Sequence, residues 1–149
     1  MKRLVITWSL AAILFGLAGV AGAGKIEKPF VFVSTSPDEL DLGTAMLFRE
    51  FYDVPAALTV DVESNCMHGP IMISTTKLKS RQGESISPER IFVKTPATNG
   101  FVTMARPVAI SKPTAGSHKI VLNLRVDSNF VKPAGEYTGT IILTIMPPA

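Results

Sequence analysis

Ile120-Val121-Leu122-Asn123-Leu124-Arg125-Val126-Asp127 decides the fold class. Ile120, Leu122, Leu124 and Val126 share one face, because side chains alternate across a strand, and Asn123, Arg125 and Asp127 fall on the other. Such a segment buries one face and wets the other. The same period of two recurs upstream, where Leu58, Val60 and Val62 alternate with Thr59, Asp61 and Glu63. Ile71, Ile73 and Thr75 open a further strand that ends near Leu78-Lys79-Ser80, and Ile91 and Val93 mark another. In the last strand Tyr137, Gly139, Ile141, Leu143 and Ile145 face one way, against Thr138, Thr140, Ile142 and Thr144. No useful length of sequence repeats at helical spacing. With about seven or eight strands and no helix to cover a sheet, each sheet must bury a face against another sheet. The expected fold is an all-β, antiparallel β-sandwich.

Turn chemistry separates the strands. Arg81-Gln82-Gly83-Glu84-Ser85 is a turn cluster, and Ile86-Ser87-Pro88 leads into the strand of Ile91 and Val93. Asn99-Gly100 is a strong hairpin signal, predicting a type I′ turn that pairs the strand ending at Thr95 with the one starting at Phe101. Val102, Met104, Val108 and Ile110 continue on one face, but Pro107 lacks a ladder donor and so confines this strand to an edge or a bulge. Leu40, Leu42 and Ala45-Met46-Leu47-Phe48 alternate poorly and fit either a bulged strand or one helical turn. Phe30-Val31-Phe32-Val33 is apolar on both faces.

The N-terminus has the form of a secretory signal. Met1-Lys2-Arg3 is basic, 4–20 is an apolar run interrupted by Thr7, Ser9 and small residues, and Ala21-Gly22-Ala23 supplies a small-x-small cleavage pattern. The expected organisation is a signal peptide over 1–23 and a single domain over 24–149. The apolar run is too short and glycine-rich for a spanning helix, so no stable membrane span is expected after cleavage. The leader holds two of the fifteen Lys and Arg and none of the twelve Asp and Glu, leaving thirteen against twelve, a net charge of +1. The basic residues are scattered singly, which excludes an electrostatic footprint for nucleic acid. Cys66 is the single cysteine, so no intramolecular disulfide can form and stability must come from packing.

Asp127, Pro133-Ala134-Gly135-Glu136-Tyr137-Thr138-Gly139-Thr140 and the alternating tail resemble the final strand of bacterial exported immunoglobulin-like and pilin-like sandwiches. Leu78, Gly83, Ile86, Pro88, Ile91 and Val93 resemble their mid-domain loop and strand. The nearest named group is that of spore coat protein U and the fimbrial subunits, and the similarity covers about the last third of the chain. The cysteine pair common in such subunits is missing. The resemblance implies an immunoglobulin-like topology, with Tyr137 at the core edge as in a tyrosine corner, and an assembly role.

Few residues point to chemistry. Cys66, His68 and Met72 are soft and borderline donors of the type a blue-copper site uses, but they lie mid-chain and the only other histidine, His118, is downstream, unlike the order of those sites. A turn between two strands is the simpler reading. Cys66 beside His68 could form a thiol nucleophile, yet no third group orients the imidazole and no hydrolase or nucleotide-binding motif occurs. Asp38, Glu39 and Asp41 after Pro37 could offer calcium ligands, although a solvated turn accounts for them. The five mature methionines are dispersed and suit core filling.

The expectation is a non-catalytic exported protein without a cofactor, periplasmic, cell-surface or extracellular, that works as an assembly subunit. Its partners would be itself or other surface subunits through strand pairing, with Phe30, Val31, Phe32 and Val33 as the assembly strand. The alternatives are a monomeric binding module for a protein or carbohydrate and, more remotely, a periplasmic copper-binding protein. Mass spectrometry of the exported protein should give Gly24 as the first residue; a mass that retains 1–23 would overturn the leader assignment.

Overall fold

A computed structural model of the chain describes residues 3–7, 28–44, 51–127 and 136–145, with side chains described for 28–40, 51–127 and 136–145. The run 45–48, the expected cleavage site and the turn at 133–135 lie outside the described residues. The protein is all-β: fifteen strand segments and one 3-10 turn, Pro88–Arg90, occur among the described residues. The strand number exceeds the seven or eight expected because several long strands break into short segments as they pass between sheets.

The front sheet is built on the stretch that opened the sequence reading. Strand β13 (His118–Asp127) runs antiparallel between β4 (Phe51–Ser64) and β9 (Ile91–Lys94), and β2 (Val31–Ser36) and β10 (Val102–Thr103) form its two edges. Burial follows the expected alternation: Ile120, Leu122, Leu124 and Val126 enter the core together with Leu58, Val60 and Val62, and Asn123 and Arg125 face outward.

The back layer contains an antiparallel ribbon. Strands β6 (Ile71–Thr75) and β7 (Leu78–Ser80) follow one another, as do β14 (Tyr137–Thr138) and β15 (Ile141–Ile145). β15 pairs with β6, Ile141 opposite Thr75, and β14 pairs with β7, Thr138 opposite Lys79. The register shifts by one residue between the two ladders. Thr76 fills that break, since its N–H donates to the Thr140 carbonyl at 2.9 Å and its hydroxyl accepts from Thr140 N–H at 2.9 Å. At the same point a Cβ on Gly139 would overlap Leu78 Cδ2, which explains a glycine within an otherwise bulky strand. β11 (Val108–Ala109) flanks β6 and β8 (Ser85–Ile86) flanks β7. Beyond β14 come β1 (Arg3–Thr7), parallel to it, and then β3 (Glu39–Thr44), antiparallel to β1. A separate ribbon joins β5 (Met67–His68) to β12 (Thr114–Ala115).

Pro107 acts as expected. The chain leaves β10 at the edge of the front sheet and joins the back layer as β11, again at an edge, so the missing proline N–H falls where no ladder needs it. One expectation is corrected and another is extended. The loop from Thr95 to Phe101 does join β9 to β10, but not through a type I′ turn at Asn99-Gly100. Only Gly100 has positive φ, +122°, and Thr98 closes the loop instead, its Oγ1 accepting from Thr95 N–H at 2.9 Å and donating to Gly100 O at 2.9 Å. Second, β4 begins at Phe51, well before the alternating run at Leu58. Pro55-Ala56-Ala57 bulges out of its ladder with β13, Ala56 adopts φ +48°, and the Ala56 N–H donates to Asn123 Oδ1 at 2.9 Å.

The inner faces carry the folding energy. Leu122 is fully buried on β13, whereas its neighbour Val121 is 39% exposed. Leu122→Ala should therefore lower the unfolding free energy by about 2 to 5 kcal/mol in a denaturant titration, and Val121→Ala by about 1 kcal/mol or less. Equal effects would mean that the faces of β13 are reversed.

Candidate functional site

The sheet edges and one end of the sandwich carry the features that packing does not explain. At the edges, strand length is telling. β8, β10 and β11 end their sheets with only two residues each, which leaves little ladder for another chain to pair with. β2 and β15 differ: they have six and five residues, end their sheets among the described residues, and contain neither a charge nor a proline. Charged residues and proline are the usual guards of a strand edge.

β2 takes in Val31, Phe32 and Val33 of the expected assembly strand, with Phe30 just ahead of it, and is paired at home with β4, Val31 opposite Ser64 and Ser36 opposite Thr59. Val33 is buried and Val31 half-buried, but Phe30 and Phe32 are 47% and 58% exposed. The sequence did not separate these two faces. Asn65 fixes the entry to the strand: its Oδ1 accepts from Phe30 N–H at 2.8 Å, its Nδ2 donates to Lys28 O at 3.0 Å, and its N–H donates to Phe30 O at 3.3 Å. On the other layer, the edge of β15 lies on the side where β1 meets Tyr137. β1 belongs to the segment read as the leader.

The outer face of the front sheet holds an aromatic and cationic cluster. The Arg125 guanidinium lies over the Phe101 ring at 4.0 Å and the Phe51 ring at 5.0 Å, and Phe51 meets Phe92 edge to face at 6.2 Å. Asp53 grips the same guanidinium through both carboxylate oxygens, at 2.5 and 2.7 Å, and that hydrogen bond raises the Arg125 pKa above its ordinary value, with burial opposing. The cluster locks an arginine rather than presenting one.

Cys66, His68 and Met72 do not act as a trio. Half-buried Cys66 directs its Sγ toward Phe30 O at 3.6 Å and Ser64 Oγ at 3.8 Å, while Ser64 Oγ donates to Cys66 O at 2.6 Å. Met72 sits on β6 opposite Ala109 and Thr144. His68 instead finds His118. Their rings lie within 8° of parallel with centroids 5.6 Å apart. His68 is 1% exposed. Each Nδ1 contacts a carbonyl, Gly69 O at 2.7 Å and Gly116 O at 3.2 Å, and both Nε2 atoms are buried without a hydrogen-bond partner. An unsatisfied buried polar atom costs about 1 to 3 kcal/mol, so two of them side by side call for a physical reason. Fifty residues separate the two histidines, and the pairing of Thr114 with His68, the turn at Gly116 and the pairing of His118 with Val62 bring them together.

Asp38 is exposed in the turn that joins β2 to β3, Glu39 is exposed at the start of β3, and the side chain of Asp41 lies outside the described residues. Among the described residues no three His, Cys, Asp or Glu side chains converge as a ready metal cluster, and no helix is long and apolar enough to cross a membrane. No protein family matches the chain, and no curated protein matches it by sequence. Cys66→Ser should leave metal content unchanged and alter stability by about 1 kcal/mol or less, because a hydroxyl can take over the contacts to Ser64 and Phe30. Stoichiometric metal lost on this substitution, measured by elemental analysis, would return Cys66 to the ligand set.

Proposed function

We propose that this chain is an exported, non-catalytic β-sandwich of immunoglobulin-like type that serves as an assembly subunit of a cell-surface or extracellular structure, joining copies of itself or other surface subunits by strand pairing. The observation that carries the reading is the contrast among edges. The sandwich truncates or kinks most of its edges, yet leaves β2 and the final strand β15 long, uncharged and free of proline. Leader removal deepens the contrast, because taking away β1 also bares the outer side of β14 and separates β3 from it. A strand added there forms main-chain hydrogen bonds and lays alternate side chains onto the core.

The assembly strand is assigned to β2 and the Phe30 that precedes it, with Phe30 and Phe32 available to a neighbour while Val33 stays in the core. Removing the segment would take a core residue and a full ladder with it, so single edge substitutions are the cleaner probes. The exported protein should show concentration-dependent oligomers by light scattering. Phe32→Lys on β2 and Thr144→Lys on β15, both at exposed positions, should each reduce association and leave the circular dichroism of the monomer unchanged. A strict monomer at high concentration, in wild type and variants alike, would favour the monomeric binding module, with the exposed phenylalanines as its contact surface.

A further inference from the structure

We infer that Asn99 is a site of spontaneous covalent modification, at which the side-chain amide is lost through a cyclic imide formed with Gly100 and is replaced by a carboxylate. The structure sets this asparagine apart from the others it describes. Asn65 accepts from Phe30 N–H at 2.8 Å and donates to Lys28 O at 3.0 Å, and Asn123 accepts from Ala56 N–H at 2.9 Å, so main-chain groups hold both carboxamides in place. Each is followed by a residue with a side chain, Cys66 and Leu124. Asn99 is exposed, its carboxamide has no hydrogen-bond partner among the described residues, and a glycine follows it. Thr98 closes the loop through Thr95 N–H and Gly100 O, and Ala97 N–H donates to Thr95 Oγ1 at 2.9 Å. None of these bonds uses the Gly100 N–H, which is without a partner among the described residues. A Cβ built on Gly100 meets nothing within 4 Å, so the space beside that nitrogen is open.

The chemistry needs only water and hydroxide. The Gly100 main-chain nitrogen gives its proton to hydroxide and attacks Asn99 Cγ; the N–Cγ bond forms, the Cγ–Nδ2 bond breaks, and Nδ2 takes a proton from water and leaves as ammonia, which regenerates the hydroxide. Water then adds to the imide ring. Opening at Cγ leaves Asp, and opening at the main-chain carbonyl leaves isoaspartate, whose chain runs through Cγ. Nothing is oxidised or reduced. Either product is ionised at neutral pH, so over residues 24–149 thirteen cations face thirteen anions and the net charge of +1 falls to 0. Isoaspartate also lengthens the main chain by one carbon between Thr98 and Gly100, inside the loop that the 2.9 Å bond from Thr98 Oγ1 to Gly100 O closes. Phe101 follows directly, with the Arg125 guanidinium over its ring at 4.0 Å, so isoaspartate loosens the join between β9 and β10 while Asp preserves it. The site does not depend on the assembly role.

The test is incubation of the exported protein, kept folded at mildly alkaline pH in heavy-oxygen water, followed by peptide mapping with mass spectrometry. Ammonia should be released and Asn99 replaced by a mixture of Asp and isoaspartate, each carrying one oxygen from the solvent, while Asn65 and Asn123 remain amides. The rate should rise with pH, as a nitrogen that must first lose its proton requires, and the product should separate from the parent by one negative charge on ion exchange. Asn99→Gln, whose side chain is one methylene longer, should keep its amide over the same period with the circular dichroism unchanged. It is a cleaner control than Gly100→Ala, because alanine rarely adopts the φ of +122° found there. An Asn99 that stays intact in the folded protein, whether or not the unfolded chain reacts there, would overturn the inference, and so would equal loss of amide from Asn65 and Asn123.

Discussion

The antiparallel ladder between β4 and β13 sets the register of the front sheet and, through it, the depth of the core. From His118 opposite Val62 to Asp127 opposite Phe51, it runs almost the whole length of both strands. A slip of one residue would turn Ile120, Leu122, Leu124 and Val126 outward and bring Asn123 and Arg125 in, so the register is held by the full apolar content of β13. Two polar devices pin it further. Asn123 accepts from the Ala56 N–H inside the bulge, and Arg125 closes on Asp53 across the ladder. A chain with one cysteine has no covalent means to do the same.

What was legible in the sequence follows from how local the physics is. The faces of β13 can be read because its alternation is unbroken, and Pro107 announces an edge because a missing N–H is a property of one residue. Pro55-Ala56-Ala57 hid the first half of β4, since a bulge removes the period of two just where it would have revealed the strand. The Asn99-Gly100 signal lost to a competitor within the same loop: the Thr98 hydroxyl makes two short bonds that fix another turn. For the candidate site, Cys66, His68 and Met72 could be picked out by chemical type, but the histidine that matters to His68 is His118. Its arrival depends on the register of β5 with β12, a pair of two-residue strands without an alternating pattern of their own.

Strand switching explains why the edges of this sandwich differ in length. When the chain passes from the front sheet to the back layer at Pro107, or crosses the register break at Gly139, it spends residues that would otherwise lengthen a ladder. The crossing at Pro107 produces the two-residue edge segments β10 and β11, which offer a neighbour almost nothing to pair with. β2 and β15 are long because neither is interrupted, and being uncharged they lack the usual deterrent to pairing with another chain. Their inner faces are committed to the core through Val33 and Ile141, so an added strand would extend each sheet without disturbing the packing behind it. The histidine pair lies at one end of the sandwich, where the β5–β12 ribbon meets the first residue of β13. Under the proposed reading β2 and β15 would each take a strand from another chain, while the β4–β13 ladder holds the core behind β2 in register.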